Sequence, residues 1–128
     1  MGTQFVVQLE NRPGALAALT RALAAAAIDI RGIAGGGAGE QAYAVLTTSD
    51  EDATRAVLRA GGYPFVEGET IIVTVEDRPG GLAAVAEKLA AAGVDIRGVL
   101  FVRSADGTVE TALSVDDVSR ARRALGLA

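Results

Sequence analysis

ENRPGALAAL, from Glu10 to Leu19, returns as EDRPGGLAAV, from Glu76 to Val85, and this repetition decides the fold. Shifting the sequence by 66 places sets Asn11–Ile33 against Asp77–Val99 with 14 of 23 pairs identical. A shift of 65 then aligns DATRA (Asp52–Ala56) with DVSRA (Asp117–Ala121). The chain is therefore a tandem duplication of a unit of about 65 residues, the first spanning residues 1–68 and the second 69–128.

Each copy opens on a β-branched run, QFVVQLE or TIIVTVE, which predicts a first strand. Asn11 or Asp77 then stands where a helix cap is expected, with Pro13 or Pro79 in the first turn. Leu16, Leu19 and Leu23, matched by Leu82, Val85 and Leu89, recur at spacings of three and four. That spacing gives a helix with one apolar stripe, which Ala24–Ala27 continues. IDIRGI and VDIRGVLFV return to strand character. GGGAG (Gly35–Gly39) and SADG (Ser104–Gly107) read as hairpin tips before third strands QAYAVLTT and TVETALSV. Second helices follow over Asp50–Ala60 and Asp116–Leu125, with aspartates at their starts. YPFVEG (Tyr63–Gly68) offers the first copy a short fourth strand, whereas the second copy ends on LGLA with little left to build one.

The order βαββαβ, twice, predicts an α+β fold of two ferredoxin-like units with helices on one face of an antiparallel sheet. Along the second strand of the second copy, Asp95, Arg97, Val99, Phe101 and Arg103 alternate with Ile96, Gly98, Leu100 and Val102, so both faces carry apolar residues. A sheet apolar on both faces calls for a second layer, and a homo-oligomer, dimer or larger, is the expected source.

Composition excludes more functions than it suggests. The 128 residues are 50% hydrophobic and contain no cysteine and no histidine. Thiol chemistry, disulfides and the commonest general base and zinc ligand are therefore absent. Net charge is −4 with twelve basic residues, too few for an electrostatic grip on phosphate backbones or anionic lipid. No run approaches the ~20 apolar residues of a membrane span, and MGTQFVVQLE lacks the layout of a signal peptide, so a cytoplasmic location is expected. The expectation is a protein that is not an enzyme, carries no cofactor and binds neither nucleic acid nor membrane. The βαββαβ order also occurs in RNA-recognition domains, but their aromatic, basic third strand is missing: QAYAVLTT and TVETALSV offer only Tyr43. GGGAG lacks the Lys-Ser/Thr ending of a phosphate-binding loop and precedes a strand.

A strand ending in Glu-[Asn/Asp]-Arg-Pro-Gly, a Leu two places after the glycine, and an [Ile/Val]-Asp-Ile some 15 residues later resemble the ACT domain, over nearly the whole chain as two copies. The resemblance implies a regulatory, amino-acid-binding protein in which paired domains hold an effector between the loop after the first strand of one and the second strand of its neighbour. With no catalytic sequence attached, the chain resembles a free-standing tandem ACT protein, acting on a separate enzyme or regulator. The implied ligand-binding positions are Asn11, Arg12, Pro13, Gly14, Ala15, Leu16, Asp29 and Ile30, and in the second copy Asp77, Arg78, Pro79, Gly80, Gly81, Leu82, Asp95 and Ile96. The first copy resembles in particular the serine-sensing ACT domain of 3-phosphoglycerate dehydrogenase, with Asn11 in the place of the effector-gripping Asn. It departs at Leu9, where that domain has a histidine, and at Asp29, where it has a second Asn.

Independently of any family, Gly14 and Gly80 leave the backbone open to a ligand, and a helix's first-turn amides favour a carboxylate. A plain turn and helix start accounts for the same Pro-Gly. Asp29 and Asp95 suit either a ligand ammonium or solvent. Arg31 and Arg97 suit an ion pair across a pseudo-twofold axis or a carboxylate clamp. A ligand-free assembly module is the alternative function, since an open sheet edge invites pairing.

Overall fold

A computed structural model describes residues 2–127. Its elements run β1 (Thr3–Glu10), α1 (Ala15–Ala25), β2 (Ile30–Ala38), β3 (Gln41–Thr48), α2 (Glu51–Ala60), β4 (Phe65–Glu76), α3 (Gly81–Ala91), β5 (Ile96–Ala105), β6 (Thr108–Val115) and α4 (Val118–Ala124). The chain divides into two compact units: Phe5–Glu67, called the first, and residues 68–127 with residues 2–4, called the second.

In the first unit the strand order is β2-β3-β1 followed by the start of β4. β3 lies antiparallel to both neighbours, with Leu9 opposite Ala42, Val7 opposite Ala44 and Phe5 opposite Leu46. These inward side chains pack on Leu19 and Leu23 of α1 and Leu58 of α2. Phe5, Leu19, Leu23, Leu46 and Leu58 are fully buried, each stabilising by roughly 1.5–3 kcal/mol over its exposed state. The second unit repeats the plan, with order β4-β6-β5 and a core of Ile71, Val73, Leu89 and Leu113.

Both units are thus ferredoxin-like, as expected, but the joins between elements differ from the expectation in four places. First, YPFVEG and TIIVTVE do not form separate strands. β4 runs unbroken through twelve residues, closing the first unit with Phe65–Glu67 and opening the second from Gly68. Second, the fourth strand of the second unit comes from the N-terminus. Thr70 N–H donates to the Gly2 carbonyl (3.0 Å), and the buried Gln4 amide donates to the Ala112 carbonyl (3.0 Å).

Third, α1 does not continue to Ala27. It stops at Ala25, where Ala27 N–H bonds Ala24 O (3.0 Å) and Ile28 N–H bonds Leu23 O (3.0 Å), with Ala27 left-handed at φ 58°. This pair of bonds satisfies carbonyls that the helix end would otherwise orphan. In the second copy Gly93, at φ 72°, closes the same motif. Four alanines favour helix locally, but the turn into β2 overrides them. Fourth, Asn11 and Asp77 do not cap the helices. Gly14 and Gly80, left-handed at φ 89° and 86°, hold that place with no side-chain cap. The later helices are capped as expected in kind: Asp50 accepts from Ala53 N–H (3.0 Å) and Asp117 from Arg120 N–H (2.9 Å).

β3 and β6 occupy the expected residues, while the alternation along β5 does not hold throughout. Its register shifts between Phe101 and Arg103, so Phe101 and Val102 are both exposed. An inserted residue re-aims the side chains that follow it, which period-two reading has no means of seeing.

Candidate functional site

The loop between β1 and α1 is built by its own short-range bonds. Arg12 N–H donates to Glu10 O (2.9 Å), Ala15 N–H to Arg12 O (3.3 Å), and Asn11 N–H to Glu40 O (3.0 Å). The first helical bond runs from Ala18 N–H to Gly14 O (2.9 Å), which leaves the amides of Leu16 and Ala17 ahead of the ladder. Pro13 and Gly14 are exposed, and Ala15 turns inward to the core.

Asn11 ties this loop to the β2–β3 turn, its Nδ2 donating to the Gly39 carbonyl at 2.9 Å. Gly37 makes that bond possible: a Cβ there would lie 2.7 Å from Asn11 Oδ1. In the second copy Asp77 N–H makes the matching backbone bond to Gly107 O (2.9 Å). Its carboxylate has no N–H to donate, so the side-chain tie cannot form. The Asn-to-Asp difference is therefore a structural difference between the loops before any ligand is considered.

Arg12 does not stand free. Its Nε donates to the Glu10 carboxylate at 2.8 Å, and Arg78 does the same to Glu76. Both pairs are exposed and stabilise by no more than ~1 kcal/mol. Their effect is to neutralise the one positive charge in each loop.

Asp29 and Asp95 lie elsewhere. β1 and β2 both run antiparallel to β3, with Glu10 opposite Gln41 and Ile30 opposite Thr48. Asn11–Leu16 and Asp29–Ile30 therefore sit at opposite ends of the first unit's sheet. The second unit repeats this, Glu76 pairing with Thr108 and Ile96 with Val115. Asp29 N–H bonds Ser49 Oγ (2.9 Å) and its carbonyl accepts from Ser49 N–H (2.9 Å); Asp95 N–H bonds the Asp116 carboxylate (2.9 Å). Both carboxylates remain exposed, that of Asp95 3.9 Å from Arg97 Nε.

Beside the Asn11 loop lies a groove of about 460 Å³, within the ~300–1,000 Å³ typical of small-molecule sites. Leu16, half exposed at the start of α1, and Ile33 on the edge strand β2 form its walls. Leu9, Ala42 and Ala44 form its floor, and residues 35–37 its outer rim. None of the lining side chains is charged. Reading GGGAG as a hairpin tip missed this rim. Gly35–Gly37 belong to β2, opposite Ala44, Tyr43 and Ala42, and the turn itself is Gly39–Glu40. The signal was present in the pairing of alternate glycines with alternate alanines across two strands, where the second copy carries larger residues.

Among the described residues no group of three or more His, Cys, Asp or Glu is placed to hold a metal ion, and no helix is long and apolar enough to cross a membrane.

Two βαββαβ units, each with a glycine-capped helix after its first strand, define a tandem ferredoxin-like fold that family comparison names. The chain belongs to the ACT domain family, whose model matches residues 3–59 and 70–126. Among solved structures it is similar to a protein from Bacteroides thetaiotaomicron, at 20% identity and TM-score 0.72 over 98% of this chain and 86% of that one. It is also similar to the regulatory subunit of aspartate kinase from Thermus thermophilus, at 17% identity and TM-score 0.64 over 98% and 91%. The corresponding subunit from Thermus flavus gives 19% identity and TM-score 0.65 over 98% and 92%. At these identities the likeness concerns the fold. Among curated proteins none matches the chain.

Proposed function

We propose that the protein is a non-catalytic, small-molecule-binding regulator of the ACT type, whose effector is an amino acid or similar zwitterion held at the Asn11–Leu16 loop. The observation that carries this reading is the open, uncharged groove beside the first turn of α1. The unladdered amides of Leu16 and Ala17, at the positive end of the helix dipole, suit a carboxylate. Asn11 spends Nδ2 on Gly39 and keeps Oδ1 as an acceptor for an ammonium group. A paired ACT unit of a second copy closes the outer wall, so the active form is a homo-oligomer, and the apolar strip of Val99, Phe101 and Val102 on β5 supports association. Effector occupancy acts on a separate enzyme or regulator.

Serine is not singled out. The likeness to the serine-sensing domain is kept at Asn11 and lost at Leu9, whose buried side chain makes the groove floor apolar. The test is a thermal-shift screen of the twenty amino acids: at least one should raise the melting temperature, and Asn11→Ala should abolish the shift. If none does, the ligand-free assembly module becomes the better reading.

A further inference from the structure

The two copies differ where the groove lies, and the register shows how. Ala42, opposite Leu9 and Gly37, corresponds to Val109, which lies opposite Val75 and Ser104. Ala44, opposite Val7 and Gly35, corresponds to Thr111, opposite Val73 and Phe101. Four positions on one face of the sheet therefore carry glycine or alanine in the first copy and Val, Thr, Phe or Ser in the second. All four small residues of the first copy line its groove. It is bounded by the exposed apolar side chains of Leu16 and Ile33, and no lining side chain carries a charge, Asn11 and Tyr43 being the polar ones.

From this we infer that the protein binds one effector per chain, in the first unit only, and that the effector is an amino acid with a sizeable uncharged apolar side chain, which occupies the groove. The inference rests on the proposed effector function and adds the copy that binds and the class of side chain chosen. An aliphatic or aromatic side chain lying between Leu16 and Ile33 is driven there by burial of apolar surface, about fourfold in affinity for each methylene buried. A charged side chain in the same place gives up hydration and meets no opposite charge among the lining side chains.

Isothermal titration of the full chain with alanine, leucine, methionine, phenylalanine, serine, aspartate and lysine tests it. Affinity should rise from alanine to the larger apolar amino acids, with a stoichiometry of one. Leu16→Ser and Ile33→Ser change exposed walls, leave the core intact and should each weaken leucine or phenylalanine at least tenfold. Ala42→Val with Ala44→Thr imports the second copy's residues and should do the same. Leu82→Ser, which matches Leu16 in the second copy, should change neither affinity nor stoichiometry. Two ligands per chain, tighter binding of serine, aspartate or lysine, or indifference to the groove substitutions would each overturn the inference and leave the effector function standing. Absence of binding by any of the twenty amino acids would overturn the effector function itself.

Discussion

Replacing Ala27 by glycine should stabilise the protein, although it deletes a methyl group from a run of four alanines. Ala27 closes α1 at φ 58°, where Gly93 closes α3 at φ 72° with the same two hydrogen bonds. A Cβ in the left-handed region costs about 1–2 kcal/mol. Glycine's greater freedom in the unfolded chain returns about 0.4–1 kcal/mol of that. The net expectation for Ala27→Gly is a gain of about 0.5–1 kcal/mol, since Ala27 is exposed and its methyl group packs on no core. Gly93→Ala is the reciprocal change. A Cβ there would meet nothing closer than Arg120 Nη1 at 3.7 Å, so its cost is backbone strain without a clash, of the same size and opposite sign. Urea unfolding reads both: at slopes of about 1–3 kcal/mol/M the midpoints should move by ~0.2–1 M in opposite directions. A destabilised Ala27→Gly, or a Gly93→Ala with an unchanged midpoint, would refute the assignment of these residues to left-handed helix ends.

Two other perturbations follow from the same geometry. Removing residues 1–4 deprives Thr70 N–H of the Gly2 carbonyl and Ala112 O of the Gln4 amide. Hydrogen exchange at Thr70 should accelerate and the bared β4 edge should promote association; unchanged protection at Thr70 would count against the borrowed strand. Arg55 donates to both oxygens of Glu67, at 2.7 and 2.6 Å, and these bonds hold the Glu67 carboxyl below its ordinary value of 4.5 against the opposing effect of burial. A depressed carboxylate pKa contributes stability that is present above 4.5 and lost as pH falls through the folded value. Wild type should therefore lose stability more steeply than Glu67→Gln as the pH is lowered below 4.5, and parallel curves would remove the pair from the acid-unfolding account.

Much was legible in one dimension. The duplication, both β-branched first strands, the apolar stripes of the first helices and the aspartate caps of the second helices all express periods or capping preferences shorter than one helix. Those signals need no knowledge of what lies across the sheet. The turn between β1 and α1 was legible too, because its Pro-Gly punctuation and its recurrence mark it twice.

The groove and the borrowed strand were decided elsewhere. GGGAG is ambiguous by itself, since glycines serve turns and close approaches alike. Only the register that sets Gly35 against Ala44 and Gly37 against Ala42, with Asn11 reaching Gly39 over Gly37, makes it the rim of a groove. Residues 2–4 and 68–70 are far apart in sequence, so no local period announces that they pair, and a twelve-residue β4 shared between two units leaves no turn signal to find. Local propensity determined which segments are helix and strand. Long-range hydrogen bonding and the small side chains opposite one another across β2 and β3 determined where the chain leaves a groove, because an empty volume is a property of facing residues and belongs to no single stretch of sequence.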